Sequence, residues 1–138
     1  MKEAPMSSVL VIEDDADMRG LLVLMLEEQG HIVRAAANGR AGLESVLHER
    51  PDVILLDMKM PVMDGWEFAR RYRTECGDPS PIVVMTASED PRKPAEEIGA
   101  AGWLGKPVEL DVLFDTVKQV ATHPSGPASA SGVSGGPG

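Results

Sequence analysis

Cysteine is nearly absent: Cys76 is the only one in 138 residues. It can close no internal disulfide, and without a ligand-spaced partner it reads as a bystander thiol. No apolar run is long enough to span a bilayer, and no signal peptide is evident, so the chain is expected to be cytoplasmic. Positive charge is also scarce. Thirteen lysines and arginines stand against 22 acids, for a net charge of −9. That balance argues against direct nucleic-acid binding, which wants a basic face, and against an anionic membrane surface. A chain of this length reads as one domain and can hide roughly two-thirds of its unfolded surface.

Apolar runs and turn formers divide the chain into alternating elements. Val9–Ile12 read as a strand running into Glu13, Asp14 and Asp15. The helix after it carries Met18, Leu21, Leu22 and Met25 at helical spacing, with Asp15 as its cap and Gly30 as its stop. Residues 31–36 make a second strand. Asn38 can cap a helix with Leu43, Val46 and Leu47 inward, which Pro51 closes. Val53–Leu56 is a continuous apolar run ending in Asp57, the mark of a strand buried on both faces. Asp64 and Glu67, three apart, open a helix through Phe68 and Tyr72. Residues 82–85 form a fourth strand ending at Thr86. A short helix near 95–100, a brief strand at Trp103 and Leu104, and a helix through Leu110, Leu113, Phe114 and Val117 complete the set. Met1–Ser7 read as a loose leader. Residues 123–138, rich in Pro, Ser and Gly, read as a flexible tail or linker behind a folded unit at 7–122.

Five strand–helix alternations imply parallel strands with helices on both faces. Ligands of such sheets bind beyond the carboxyl ends of the strands. Those ends deliver Glu13 and Asp14, then Asp57, then Thr86, then Lys106-Pro107. Carboxylates gathered together stay ionised only beside a cation. Hard oxygen donors without His or Cys favour Mg²⁺, which commonly shares its shell with phosphate oxygens. Lys106 is a point charge suited to a phosphoryl oxygen, and Thr86 offers a hydroxyl. A carboxylate in that company is a plausible phosphoryl acceptor. Taken one at a time, each residue has a plainer reading: a cap, a turn former or a loop Lys-Pro. The joint order carries the inference.

VLVIEDDADMRGLL, VILLDMKMPVMDG, VVMTAS and WLGKPVELDVL together make the sequence similar to the receiver domain of two-component response regulators, of the chemotaxis-receiver kind. The resemblance covers about residues 7–121. It implies an α/β, flavodoxin-like, doubly wound sheet of order 2-1-3-4-5. It implies Asp57 as phosphoacceptor and Mg²⁺ held by Glu13, Asp14, Asp57 and the backbone carbonyl of Lys59. Thr86 and Lys106 would contact the phosphoryl group, the bond before Pro107 would be cis, and Trp103 would turn inward as Thr86 shifts. Ala87 would leave the site open to donor or water, while Lys59 and Ser88 would tune the lifetime of the acyl phosphate. The donor would be a sensor histidine kinase or a phosphotransfer protein. The chain would be no enzyme beyond its own phosphotransfer and autodephosphorylation.

One segment departs from the family pattern. Between Thr86 and Trp103, Pro91 and Pro94 stand in a slightly shortened stretch, so the fourth helix is expected to start near Pro94 and to be stubby. A phosphatase of the haloacid dehalogenase type would need a second acid where Lys59 stands. A flavodoxin would need a Ser/Thr-rich phosphate loop where Glu13, Asp14 and Asp15 repel phosphate. A receiver-shaped scaffold that works without phosphorylation fits poorly with an intact set of site residues. The chain could also be a receiver module from a longer regulator or hybrid kinase.

Overall fold

The computed structural model describes residues 7–122. The expected tail, 123–138, and the leader, 1–6, lie outside the described residues. Ser7, expected in the leader, is buried instead. Its carbonyl accepts from Ile32 N–H at 2.9 Å, because parallel pairing begins there.

The elements are β1 (Ser8–Ile12), α1 (Ala16–Glu28), β2 (Ile32–Ala36), α2 (Gly39–His48), β3 (Val53–Asp57), α3 (Gly65–Glu75), β4 (Ile82–Thr86), α4 (Arg92–Ile98), β5 (Gly102–Gly105) and α5 (Leu110–Thr122). All four strand pairings are parallel, and the sheet order is β2-β1-β3-β4-β5. The flavodoxin-like expectation is met.

Helices cover both faces, which explains the unbroken apolar strands. Leu10, Ile12, Ile54, Leu56, Ile82 and Val84 face one core with Phe68 and Tyr72 of α3. Val9, Val11, Val53, Leu55, Val83 and Met85 alternate to the other core, with Leu22 and Leu26 of α1 and Leu113 and Val117 of α5. Each such side chain, fully buried, contributes roughly 1.5–3 kcal/mol. The central strands are therefore rigid, and their ends hold fixed positions.

Local signals mostly act as expected. Asp15 Oδ1 accepts from Asp17 N–H and Met18 N–H, and Asn38 Oδ1 accepts from Ala41 N–H at 2.8 Å. Asp64 Oδ1 accepts from Glu67 N–H, but the Glu67 carboxylate turns to Arg70 and Arg71, so only half of the capping box forms.

Three expectations are corrected. Leu21 and Leu47 are 48% and 47% exposed rather than inward. The buried stripe of α1 runs through Leu22 and Leu26, and that of α2 through Leu43 and Val46, each about a quarter-turn away. α4 starts at Arg92, two residues before Pro94, and ends at Ile98. Proline is accepted there because first-turn N–H groups have no intrahelical partner. Gly99, at φ 67°, ends this helix in the left-handed region that glycine enters freely.

Candidate functional site

The sheet order changes direction between β1 and β3, and the candidate residues gather beyond the carboxyl ends there. Asp57 is the last residue of β3, and it pairs in register with Met85 of β4. Thr86 pairs with Gly105 of β5, and Lys106 N–H donates to Thr86 O at 2.8 Å, so the ends of β4 and β5 are tied together. The Lys106–Pro107 bond is cis.

Glu13, Asp14 and Asp57 each offer a carboxylate oxygen within 4.8 Å of the others. Glu13 and Asp57 are buried, whereas Asp14 is open to solvent. Lys106 Nζ stands 3.0 Å from Glu13 Oε1 and 3.5 Å from Asp57 Oδ1. Glu13 Oε1 is nonetheless a buried acceptor without a hydrogen bond, so its contact with Lys106 is a charge contact of poor alignment. Lys59 N–H donates to Asp57 Oδ1 at 3.2 Å. Thr86 Oγ1 accepts from Ser88 N–H at 3.1 Å, which holds the hydroxyl in its own loop.

The electrostatics follow from this crowding. Burial pushes the Asp57 carboxyl up from 3.8 to about 7, helped by the charge of Glu13 and the carboxyl of Asp14; Lys106 and the Lys59 N–H oppose the shift. Burial alone would lower Lys106, but its close contacts with the Glu13 and Asp57 carboxylates outweigh it and raise its pKa. An all-oxygen donor set, one buried acceptor left without a hydrogen bond and a solvent-facing third carboxylate fit a small hard divalent cation.

The loop after β3 is tightly built. Gly65 N–H donates to Met58 O at 3.0 Å, and a Cβ on Gly65 would lie 2.8 Å from Met58 Cα. Only glycine allows that approach. Between them Val62 is 73% exposed and sits at φ 73°, left-handed backbone that costs a β-branched residue roughly 1–2 kcal/mol. Val62→Gly should therefore stabilise the fold by about 0.5–1 kcal/mol, because relief of the strain exceeds the entropy glycine adds to the unfolded chain. Urea denaturation checks this; a loss of stability would show that Val62 is unstrained.

The model of the response regulator receiver domain matches residues 9–118. The chain belongs to that family. Phosphorylation-dependent switching in two-component systems is the family's function, and its members bind Mg²⁺ at an acidic pocket. Among curated relatives, the transcriptional regulatory protein AfsQ1 of Streptomyces coelicolor is 41% identical over 117 residues, covering 83% of this chain and 51% of that protein. Sporulation initiation phosphotransferase F of Bacillus subtilis is 35% identical, covering 80% of this chain and 90% of that protein. Chemotaxis protein CheY4 of Vibrio cholerae superposes with a TM-score of 0.76 at 34% identity, covering 83% of this chain and 98% of that one. This receiver domain spans about half the length of several relatives it matches.

Glu13, Asp14, Asp57 and Lys106 come together at one edge, and Thr86 is tied to Lys106 through its backbone carbonyl. Trp103, at the middle of β5, is half-buried against the core that α4 covers. Two features escaped the sequence reading. Trp66 Nε1 donates to Glu97 Oε1 at 2.8 Å, linking α3 to α4. Arg19 reaches back to the β1–α1 loop. Nothing in the spacing announces the first; an arginine one turn into a helix behind two acids is a faint signal of the second.

Proposed function

We propose that Asp57 is the phosphoryl acceptor of this receiver, taking the group from a phosphohistidine on a sensor histidine kinase or a phosphotransfer protein. The observation that carries the reading is a buried strand-end carboxylate lying both against two other acids and 3.5 Å from an ammonium. An Asp57 oxygen forms the new P–O bond while the donor's P–N bond breaks. The departing imidazole leaves protonated, its proton drawn from solvent. Lys106, parked between Glu13 and Asp57, moves its charge onto a phosphoryl oxygen. Glu13, Asp14, Asp57 and the Lys59 carbonyl would hold Mg²⁺, which when bound offsets negative charge on acceptor and phosphoryl oxygens.

The switch follows from what the new group offers. It brings negative charge and strong acceptors to the ends of β3 and β4. The Thr86 hydroxyl leaves Ser88 N–H, from which it accepts, and donates its proton to a phosphoryl oxygen, and the β4–α4 loop shifts with it. Trp103, on the neighbouring strand, turns further inward. The population moves toward an arrangement that a downstream protein reads. The working unit is residues 7–122, acting in the cytoplasm through protein contacts, with self-phosphotransfer and autodephosphorylation its only chemistry.

Acetyl phosphate with Mg²⁺ should place a hydroxylamine-labile phosphoryl group on the peptide containing Asp57, with no incorporation in EDTA. Labelling at another residue, or labelling indifferent to metal, would sink the reading.

A further inference from the structure

Arg19 lies in the second turn of α1 and is half-buried. Acidic residues surround it in sequence: Asp14, Asp15 and Asp17. Among the described residues its guanidinium pairs with none of them. Nη1 donates instead to two backbone carbonyls, Glu13 O at 2.8 Å and Asp14 O at 3.4 Å.

Those carbonyls belong to the two β1–α1 acids of the pocket. Glu13 N–H already donates to Ala36 O at 3.1 Å, and Glu13 Oε2 accepts from Asp15 N–H at 3.2 Å. Arg19 N–H donates to Asp15 O at 2.8 Å, which anchors the arginine's own backbone to the same turn. Without the guanidinium, Glu13 would keep its β2 anchor through its N–H, while its carbonyl, in the next peptide unit, would lose its Arg19 donor. Asp14 is exposed, and among the described residues no other side-chain donor reaches its backbone carbonyl.

We propose that Arg19 is a positioning residue for the acidic pocket: it clamps the Glu13 and Asp14 carbonyls and so keeps both carboxylates directed toward Asp57. The inference rests on the reading of that pocket as a Mg²⁺ site. Two effects of the arginine oppose each other. Its charge repels a divalent cation nearby, while its hydrogen bonds fix the ligands that hold one. A charge on a half-exposed side chain is screened by solvent and salt. A short charge-assisted bond to a carbonyl is not lost that way, so positioning should dominate.

Isothermal titration of the full chain with MgCl₂ decides. Arg19→Met should weaken Mg²⁺ binding by about tenfold, the low end of what losing groups that orient metal ligands costs. Arg19→Lys should stay within about twofold of the unaltered protein, because one nitrogen makes both contacts and an ammonium can reproduce them. Unfolding of both variants in EDTA should differ little from the parent, since the clamp is half-exposed. Should Arg19→Met fail to fold, Arg19→Gln, polar but shorter and uncharged, is expected to show the same weakening. Unchanged or tighter binding in the Met or Gln variant overturns the proposal and leaves the pocket's assignment standing, provided the unaltered protein binds Mg²⁺ and responds to beryllofluoride. Absence of Mg²⁺ binding by the unaltered protein overturns both.

Discussion

Asp57→Asn should abolish phosphoryl uptake and, in the absence of metal, make the protein more stable. The first effect removes the nucleophilic oxygen. The second follows from the cost of ionising a buried carboxylate beside two others. Its pKa rises from 3.8 unfolded to about 7 folded. Between those values the native state binds more protons than the unfolded state, so metal-free stability falls as pH rises through that window. Above about pH 7 the whole cost is present. A shift of that size is worth at most about 4 kcal/mol; solvent reaching the pocket at Asp14 screens it, and about 1–2 kcal/mol is expected. At pH 8 in EDTA the variant should melt roughly 3–8 °C above the parent, and the two should converge near pH 4. Mg²⁺ should narrow the gap by stabilising the parent more. Calorimetry across pH, beside a labelling assay, checks both halves. A variant that melts lower at pH 8, or still takes up a hydroxylamine-labile phosphoryl group, contradicts the picture.

Lys106→Met acts on the same charges in the opposite sense. Among the described residues, Lys106 makes the only ion pairs to Glu13 and Asp57. Taking away one partner of a buried pair costs about 3–5 kcal/mol when the other cannot adapt. Here Asp57 can adapt by taking up a proton, which becomes easier as pH falls. Destabilisation of about 2–3 kcal/mol is therefore expected at pH 8 in EDTA, shrinking toward pH 5. Phosphoryl uptake from acetyl phosphate should slow by at least about 100-fold, the usual consequence of deleting one preorganised charge contact in a transfer reaction. Denaturant titration at the two pH values and a time course of labelling give the answer. Equal destabilisation at both pH values would mean that the lysine acts through packing of its stem rather than through charge.

The two variants together separate the pocket's tasks. Burial, helped by crowded acids, makes Asp57 reluctant to ionise without a cation, and Lys106 keeps that reluctance from unfolding the chain. On the proposed reading, a phosphoryl group would then offer Lys106 and Thr86 new partners. The switch is built from contacts that are only partly satisfied: a charge contact without hydrogen-bond alignment at Glu13, and a threonine hydroxyl occupied by its own loop.

Much of this could be read in the sequence. The apolar runs at 9–12, 53–56 and 82–85 required a two-sided sheet, because no other arrangement buries consecutive strand residues on both faces. Each run ended in a polar residue, and parallel topology alone sends those ends to one edge. Glu13, Asp14, Asp57, Thr86 and Lys106 were legible for that reason. Less legible were the faces of helices whose apolar residues wrap around. Leu21 lies beside Leu22 in a helix rich in leucine, and only the position of the sheet decides which of them is covered. The start of α4 was also read late, since Pro94 looks like a boundary and is a first-turn residue.

The chain's order of residues determined the strands, their parallel connection and the set of groups at one edge, since periodicity and parallel connection are local rules summed along the chain; the strand order 2-1-3-4-5 was implied only by the resemblance to the receiver family. Tertiary structure alone decided the distances. These include the 3.0 Å approach of Lys106 to Glu13, the reach of Arg19 back to two carbonyls, the bridge from Trp66 to Glu97 and the left-handed turn at Val62. Such contacts join segments whose separation depends on how every helix packs, and no local pattern encodes that sum.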